Sequence, residues 1–105
     1  MKVKSKRPLP FEALVKASEC LKTLAHPIRL RMVELLLDER YTVGELAEIC
    51  EIAPNVASEH LRHMQHCGIM MSEREGRRVY YALTDEMFGG LLDMIQKKFN
   101  SKERT

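Results

Sequence analysis

Several absences bound this chain before anything present in it is read. No apolar run approaches the roughly 20 residues that a membrane-crossing helix needs, so no membrane partner is expected. The basic start Met1–Arg7 leads into Pro8, Leu9 and Pro10 and not into an apolar signal-peptide core, so a cytoplasmic protein is expected. The three cysteines, at positions 20, 50 and 67, are odd in number and far apart, which argues against a disulfide framework and for reduced thiols. There is no Cys-x-x-Cys, no phosphate-binding glycine loop and no carboxylate pair in a pocket-like setting, so an enzyme is not expected. Gly89-Gly90 lies within a helical pattern and reads only as local weakness or close packing. Internal repeats and low-complexity segments are missing too. Charge excess is small: 17 basic against 15 acidic side chains leave +2, which does not by itself announce nucleic acid.

What is present is one domain's worth of chain. At 105 residues and 45% apolar content it can bury a small core. Residues 1–9 read as a flexible basic arm, 10–100 as the folded domain and 101–105 as a polar tail. Charge is unevenly placed. Lys2, Lys4, Lys6 and Arg7 open the chain without an acid, and Glu34, Asp38, Glu39, Glu45, Glu48 and Glu51 surround a single Arg40. Arg74, Arg77 and Arg78 then restore positive charge. Such runs are either partner-binding patches or plain solvated faces.

Periodicity supplies the elements. Phe11, Leu14, Val15, Leu21 and Leu24 fall at helical spacing. His26-Pro27 interrupts them, and Pro27 suits the first position of a second helix whose Ile28, Leu30, Met32, Val33, Leu35, Leu36 and Leu37 place it at the centre of the core. Residues 38–41 read as a polar connection. Thr42 with Glu45 makes a capping box, and Leu46, Ala47 and Ile49 give the next helix its buried side. After a turn at 51–53, Pro54 starts a helix to Cys67 with Val56, Ala57, Leu61 and Met64 facing inward. Ala53 offers it no side-chain cap, a weakness of about 1 kcal/mol relative to serine. Gly68 is placed to end that helix. Met70 to Leu83 forms a ribbon bent at 75–78, and Thr84 opens a last helix striped by Phe88, Leu91, Leu92, Ile95 and Phe99. The expected fold is mainly α with a small β-hairpin: a winged helix-turn-helix of five helices and a two-stranded wing. The apolar stripes of the first and last helices exceed what such a core needs. They either pack within the chain or pair two copies, through Phe11, Leu14, Leu21, Phe88, Leu92 and Ile95. The dimer is favoured because a two-fold protein matches a two-fold DNA site.

Asn55, Ser58 and Glu59 sit on the first turns of the Pro54 helix, away from its apolar side, where side chains reach base edges when such a helix enters a major groove. Asparagine can pair with adenine and glutamate can accept from the cytosine amine. Glu59 is an acid facing a polyanion, so it reads cytosine or weakens binding. Arg62 is suited to phosphate, and Arg77 and Arg78, at the ribbon bend, to phosphate or the minor groove. The bland alternative is a surface of ordinary polar residues.

The stretch Leu21 to Leu36, then Glu45-Leu-Ala, Ala57-Ser-Glu-His-Leu61, Gly68-Ile and Arg74 to Tyr81, resembles the ArsR/SmtB family of prokaryotic transcriptional regulators across about residues 11–99. Its members are usually homodimeric repressors released by metals or oxidants. The resemblance implies that Asn55, Val56, Ser58 and Glu59 face bases and that the outer helices form the dimer interface. It also implies effector sites that this chain departs from. The family's Cys-x-Cys pair falls on Thr42 and Gly44, and its Asp-x-His with a distant histidine retains Asp85 but meets Met87 and Lys98. What remains is His60, His63, His66 and Cys67. His63 and Cys67 are one turn apart, where some members carry two cysteines, and imidazole plus thiolate suits zinc, cadmium or copper. Two ligands are too few for zinc, so a third would come from Cys20, Cys50 or a second subunit. The alternative is a surface histidine beside a buried thiol. His60 reads as DNA-facing or structural, His26 as a cap or core contact, and Cys20 as packed or as part of a thiol switch. The expected function is a homodimeric repressor on an inverted-repeat operator in double-stranded DNA, released by a metal or thiol-reactive signal. The alternative is a winged-helix protein-interaction module.

Overall fold

A computed structural model describes residues 8–86 and 88–100. Most of the proposed arm, the whole polar tail and Met87 lie outside the described residues. The order of elements is α1 (Phe11–Leu24), α2 (Pro27–Asp38), β1 (Tyr41–Thr42), α3 (Val43–Cys50), α4 (Pro54–His66), β2 (Met70–Glu75), β3 (Arg78–Leu83) and α5 (Phe88–Phe99).

Local chemistry fixes where these elements start and stop. Pro27 sits in the first turn of α2, and His26 Nδ1 accepts a hydrogen bond from the Ile28 amide at 3.1 Å, so the histidine is a cap. The capping box of α3 is complete: Thr42 Oγ1 accepts from the Glu45 amide at 3.2 Å, and Glu45 Oε1 accepts from the Thr42 amide at 2.9 Å. Beyond α4, Gly68 takes a positive φ of 80°, and the Gly68 and Ile69 amides donate to the Gln65 and Met64 carbonyls. That double bond closes the helix, and glycine is the residue that adopts this backbone without a Cβ clash.

The core is Leu24, Met32, Val33, Leu36, Leu46, Ala47, Ala57, Leu61, Met64, Ile69 and Met70. Helix α2 lies at its centre, against α3, α4, α5 and β3, as its near-continuous apolar circumference requires. Fully burying a leucine or methionine stabilises by about 1.5–3 kcal/mol, so this set suffices for a small domain.

Four features depart from the sequence reading. The sheet has three strands, in the order β1-β3-β2, because Tyr41 and Thr42 at the end of the expected polar connection pair antiparallel with Tyr81 and Tyr80. Thr84 does not open α5: its hydroxyl donates to the Gly68 and Ile69 carbonyls at 2.8 and 3.1 Å, tying the end of β3 to the end of α4. Ile49 is 46% exposed and not part of the buried side of α3, which is made by Leu46 and Ala47 with Val43 and Cys50 half-buried against the core. Val56 is 39% exposed and lies beside Asn55, because the row that meets the core is Ala57, Leu61 and Met64 at i, i+4 and i+7.

The outer helices bury little. Leu24 is the only buried residue of α1, and α5 has none. Of the residues assigned to pairing, Phe11, Leu14 and Leu21 are exposed, while Phe88, Leu92 and Ile95 are half-buried. Leu92, Ile95 and Phe99 face Pro27 and Leu30 across an open groove between α5 and α2.

Candidate nucleic-acid interface

Helix α4 presents opposite sides to core and solvent. Asn55, Val56 and Glu59 are exposed, Ser58 is half-buried, and Arg62 is exposed one turn on. The start of the helix is open. No side chain caps it at Ala53, Pro54 has no amide proton, and the Val56 and Ala57 amides both donate to the Ala53 carbonyl at 3.0 Å, while the positive end of the helix dipole lies at the exposed Asn55. The turn before it is tight: Glu51 holds a left-handed conformation at φ 58° and ψ 47°, and the Glu51 and Ile52 amides close back on Glu48 and Ala47.

Three contacts seat α4 from behind. Gln65 Nε2 donates to Ser72 Oγ on β2 at 3.2 Å. Arg29 Nε donates to His60 Nδ1 at 3.0 Å, while Arg29 Nη1 donates to the Thr23 carbonyl at 2.9 Å. The His60 ring also lies against His26, with centroids 4.6 Å apart. Because Arg29 has no acceptor, His60 Nδ1 must be bare and the neutral ring carries its proton on Nε2. Burial, reinforced by His26 and Arg29, pushes the His60 pKa below the ordinary histidine value. His60 is therefore a structural residue that joins α4 to the α1–α2 corner. Arg29, which does the joining, carried no signal in the sequence.

The wing is held by Arg40, which sequence reasoning noted only as the lone cation in an acidic stretch. Its guanidinium lies 4.1 Å from the Tyr80 ring centre and bridges Glu73 at 3.0 Å and Glu75 at 2.7 Å. Both wing acids are thereby paired with one cation, which offsets one of their two negative charges. Arg62, Arg77 and Arg78 have no ion pair among the described residues and are all exposed. The hairpin turns at Gly76, φ 64°, and carries Arg77 and Arg78 to a groove shared with Thr42, Val43, Gly44, Glu45 and Glu48 at the start of α3. Arg62, Arg77 and Arg78 are the cations the sequence assigns to phosphate; Arg74 on β2 is exposed as well and, among the described residues, meets only the Gly76 carbonyl at 3.5 Å. Arg77 and Arg78 stand beside α3, the helix that leads into α4.

The sulfur and imidazole groups at the end of α4 lie in different surroundings. His63 and His66 are exposed, whereas the half-buried Cys67 thiol turns to α1 and meets Thr23 Oγ1 at 3.2 Å. Cys20 Sγ donates to the Cys67 carbonyl at 3.5 Å. Cys50 stands apart, its thiol pKa raised by burial. Among the described residues no group of three or more His, Cys, Asp or Glu is placed to hold a metal ion. His63 and Cys67 alone are too few donors for zinc.

A helix-turn-helix with a three-stranded wing defines a winged-helix protein, and comparison with known proteins gives its family. Residues 26–71 match the pattern of the family described as "Bacterial regulatory protein, arsR family". The biofilm growth-associated repressor of Xylella fastidiosa is 31% identical over 84 residues, covering 80% of this chain and 74% of that protein. The HTH-type transcriptional repressor SmtB of Mycobacterium tuberculosis is 36% identical over 78 residues, 74% of this chain; the chain spans 58% of that repressor's length. Among solved structures, the homodimeric winged helix-turn-helix DNA-binding domain Mb0332 of Mycobacterium bovis superposes with a TM-score of 0.78 at 25% identity, covering 99% of this chain and 94% of that one. The chain belongs to the arsR family of bacterial regulatory proteins. This is a family of regulators and not of enzymes. No helix among the described residues is long and apolar enough to cross a membrane.

Proposed function

We propose that this chain is a sequence-specific DNA-binding repressor that acts as a homodimer on an inverted-repeat operator. The observation that carries the reading is the solvent-facing Asn55–Glu59 side of α4, with Arg62 exposed one turn on and the wing's Arg77 and Arg78 exposed beside the start of α3, none of the three in an ion pair among the described residues. Asn55, Val56, Ser58 and Glu59 would meet base edges, and Arg62, Arg77 and Arg78 phosphates. Two copies joined through α1 and α5 would present two such helices to half-sites about one helical turn apart. The family resemblance, and relatives that are named repressors, support this reading.

The test is binding of the purified protein to labelled duplex from its own promoter region, followed by fluorescence anisotropy across a salt series. Affinity should fall linearly on a log–log plot as salt rises. Changing Arg77 and Arg78 together to Glu should weaken binding by about a hundredfold or more at moderate salt, and flatten the slope. Equal affinity for a scrambled duplex sinks the sequence-specific reading.

A further inference from the structure

We propose that Cys20 and Cys67 form a reversible oxidation site, closing to an intrachain disulfide that ties α1 to the end of the recognition helix α4. The consequence for DNA rests on the function proposed above; the chemistry of the pair does not.

The pairing is spatial and not sequential, since 47 positions separate the two residues. The Cys20 thiol points at the Cys67 carbonyl, and the Cys67 sulfur packs on Thr23, one turn along α1 from Cys20. Thr23 fixes the direction of the Cys67 thiol. Its hydroxyl proton is used on the Glu19 carbonyl at 3.1 Å, so the Thr23 oxygen is left to accept from Cys67. Both thiols are half-buried, so neither is sealed from small solutes. The Cys20 thiol pKa is raised by burial and then by the neighbouring Cys67. A protonated thiol is a poor nucleophile, so Cys20 is a slow attacker at rest. Cys50 takes no part in this contact.

The oxidant is a hydroperoxide. One sulfur, after losing its proton, attacks the terminal peroxide oxygen. The O–O bond breaks, the alkoxide or hydroxide leaves and takes up a proton, and a sulfenic acid remains. The second sulfur attacks that sulfenic sulfur, the S–S bond forms, and hydroxide leaves as water with the second thiol's proton. The balance is two thiols and one hydroperoxide to one disulfide, one alcohol (or water) and one water. A dithiol reductant reverses it by exchange.

Closure has a mechanical result. An S–S bond is about 2.05 Å long, so the two helices must draw together from non-bonded contact. The Cys67–Thr23 bond is lost, and the end of α4 is tilted toward α1. An operator with two fixed half-sites penalises such a tilt in each subunit.

The experiment treats the full-length Cys50→Ser protein with hydrogen peroxide, counts free thiols, maps peptides by mass and measures operator affinity before and after. The expected result is loss of both thiols, a single intrachain link between positions 20 and 67, an affinity at least fivefold weaker, and recovery of all three readings with dithiothreitol. Cys20→Ser and Cys67→Ser should each abolish the response while keeping the affinity of the reduced protein. Thiols that stay free, a link between chains, or overoxidation of one cysteine overturns the proposal. A link formed with affinity unchanged overturns its regulatory half. Failure of the reduced protein to bind any duplex would instead count against the DNA reading, and the peptide map would still decide the disulfide.

Discussion

The three central helices and the two outer ones solve different problems. Helices α2, α3 and α4 bury their apolar rows against each other, and α2 and α3 have side-chain caps at their starts. Helices α1 and α5 are just as apolar along one stripe, yet Phe11 stays 78% exposed and Phe99 71%. A hydrophobic stripe is ordinarily what drives a helix onto a core. Here the outer stripes meet the core only in part, through Leu24, Phe88, Leu91 and Leu92, and the rest of each stripe is left as an exposed apolar surface. Exposed apolar patches of that kind mark association surfaces. The contrast therefore separates helices that bury their apolar rows fully from helices that leave part of theirs exposed.

The strongest way to break this contrast is to damage each side and see what fails. Leu61 is fully buried in α4 beside Met32 and Leu46 in the core set, so Leu61→Ala should destabilise the fold by about 2–5 kcal/mol in chemical denaturation. A loss under about 1 kcal/mol would mean that the central helices do not form the tight unit described. Phe11→Asp with Phe99→Asp should act on the other side only. Sedimentation should show an association at least tenfold weaker, while the monomer keeps its helical content and its denaturant slope, since neither side chain is buried. A dimer untouched by both changes would place the interface elsewhere.

A subtler distinction lies in how α4 is held. Arg29 and His26 press on the neutral His60 ring, and Glu59 and His63 on the same helix also act on it. The folded-state pKa of His60 lies below its unfolded value of about 6.5. Between the two, the unfolded chain binds more protons, so stability from this group is present above about pH 6.5 and is lost as pH falls toward the folded-state value. Melting curves should therefore decline from pH 7.5 to 5. His60→Gln, which keeps an acceptor for Arg29 but cannot titrate, should flatten that decline. An identical pH profile in the variant would assign the dependence to other groups.

How much of this was readable in the chain depends on the range of the interaction. Contacts between residues a few positions apart were legible: the Thr42–Glu45 box, Pro27 after a capping His26, and Gly68 at the end of α4 all follow from local backbone needs. The exposed Asn55–Glu59 side followed from helical period. Contacts made by folding were not. Strand β1 is two residues long, too short to show alternation, and exists only because β3 lies beside it. Arg40 finds Glu73 and Glu75 from 33 and 35 positions away, and Cys20 meets Cys67 from 47. Ile49 and Val56 erred in the opposite direction. They are apolar residues on helices whose buried rows are already filled, and the rule that apolar residues lie inside holds in one direction only.

The smallest effect concerns the hinge between the two helices of the motif. Glu51 ends α3 in the left-handed conformation, where an L-residue is strained by roughly 1–2 kcal/mol and glycine is not. The same backbone need after α4 is met by Gly68. Glu51→Gly should thus raise stability, but glycine also gains more freedom in the unfolded chain, worth about 0.5–1 kcal/mol the other way. The net should be a gain of well under 1 kcal/mol, read as a small rise in denaturation midpoint at constant slope. A clear loss would show that the Glu51 side chain makes a contribution beyond its backbone. A larger gain would show that the turn setting α4 against α3 is under more strain than its dihedral angles suggest.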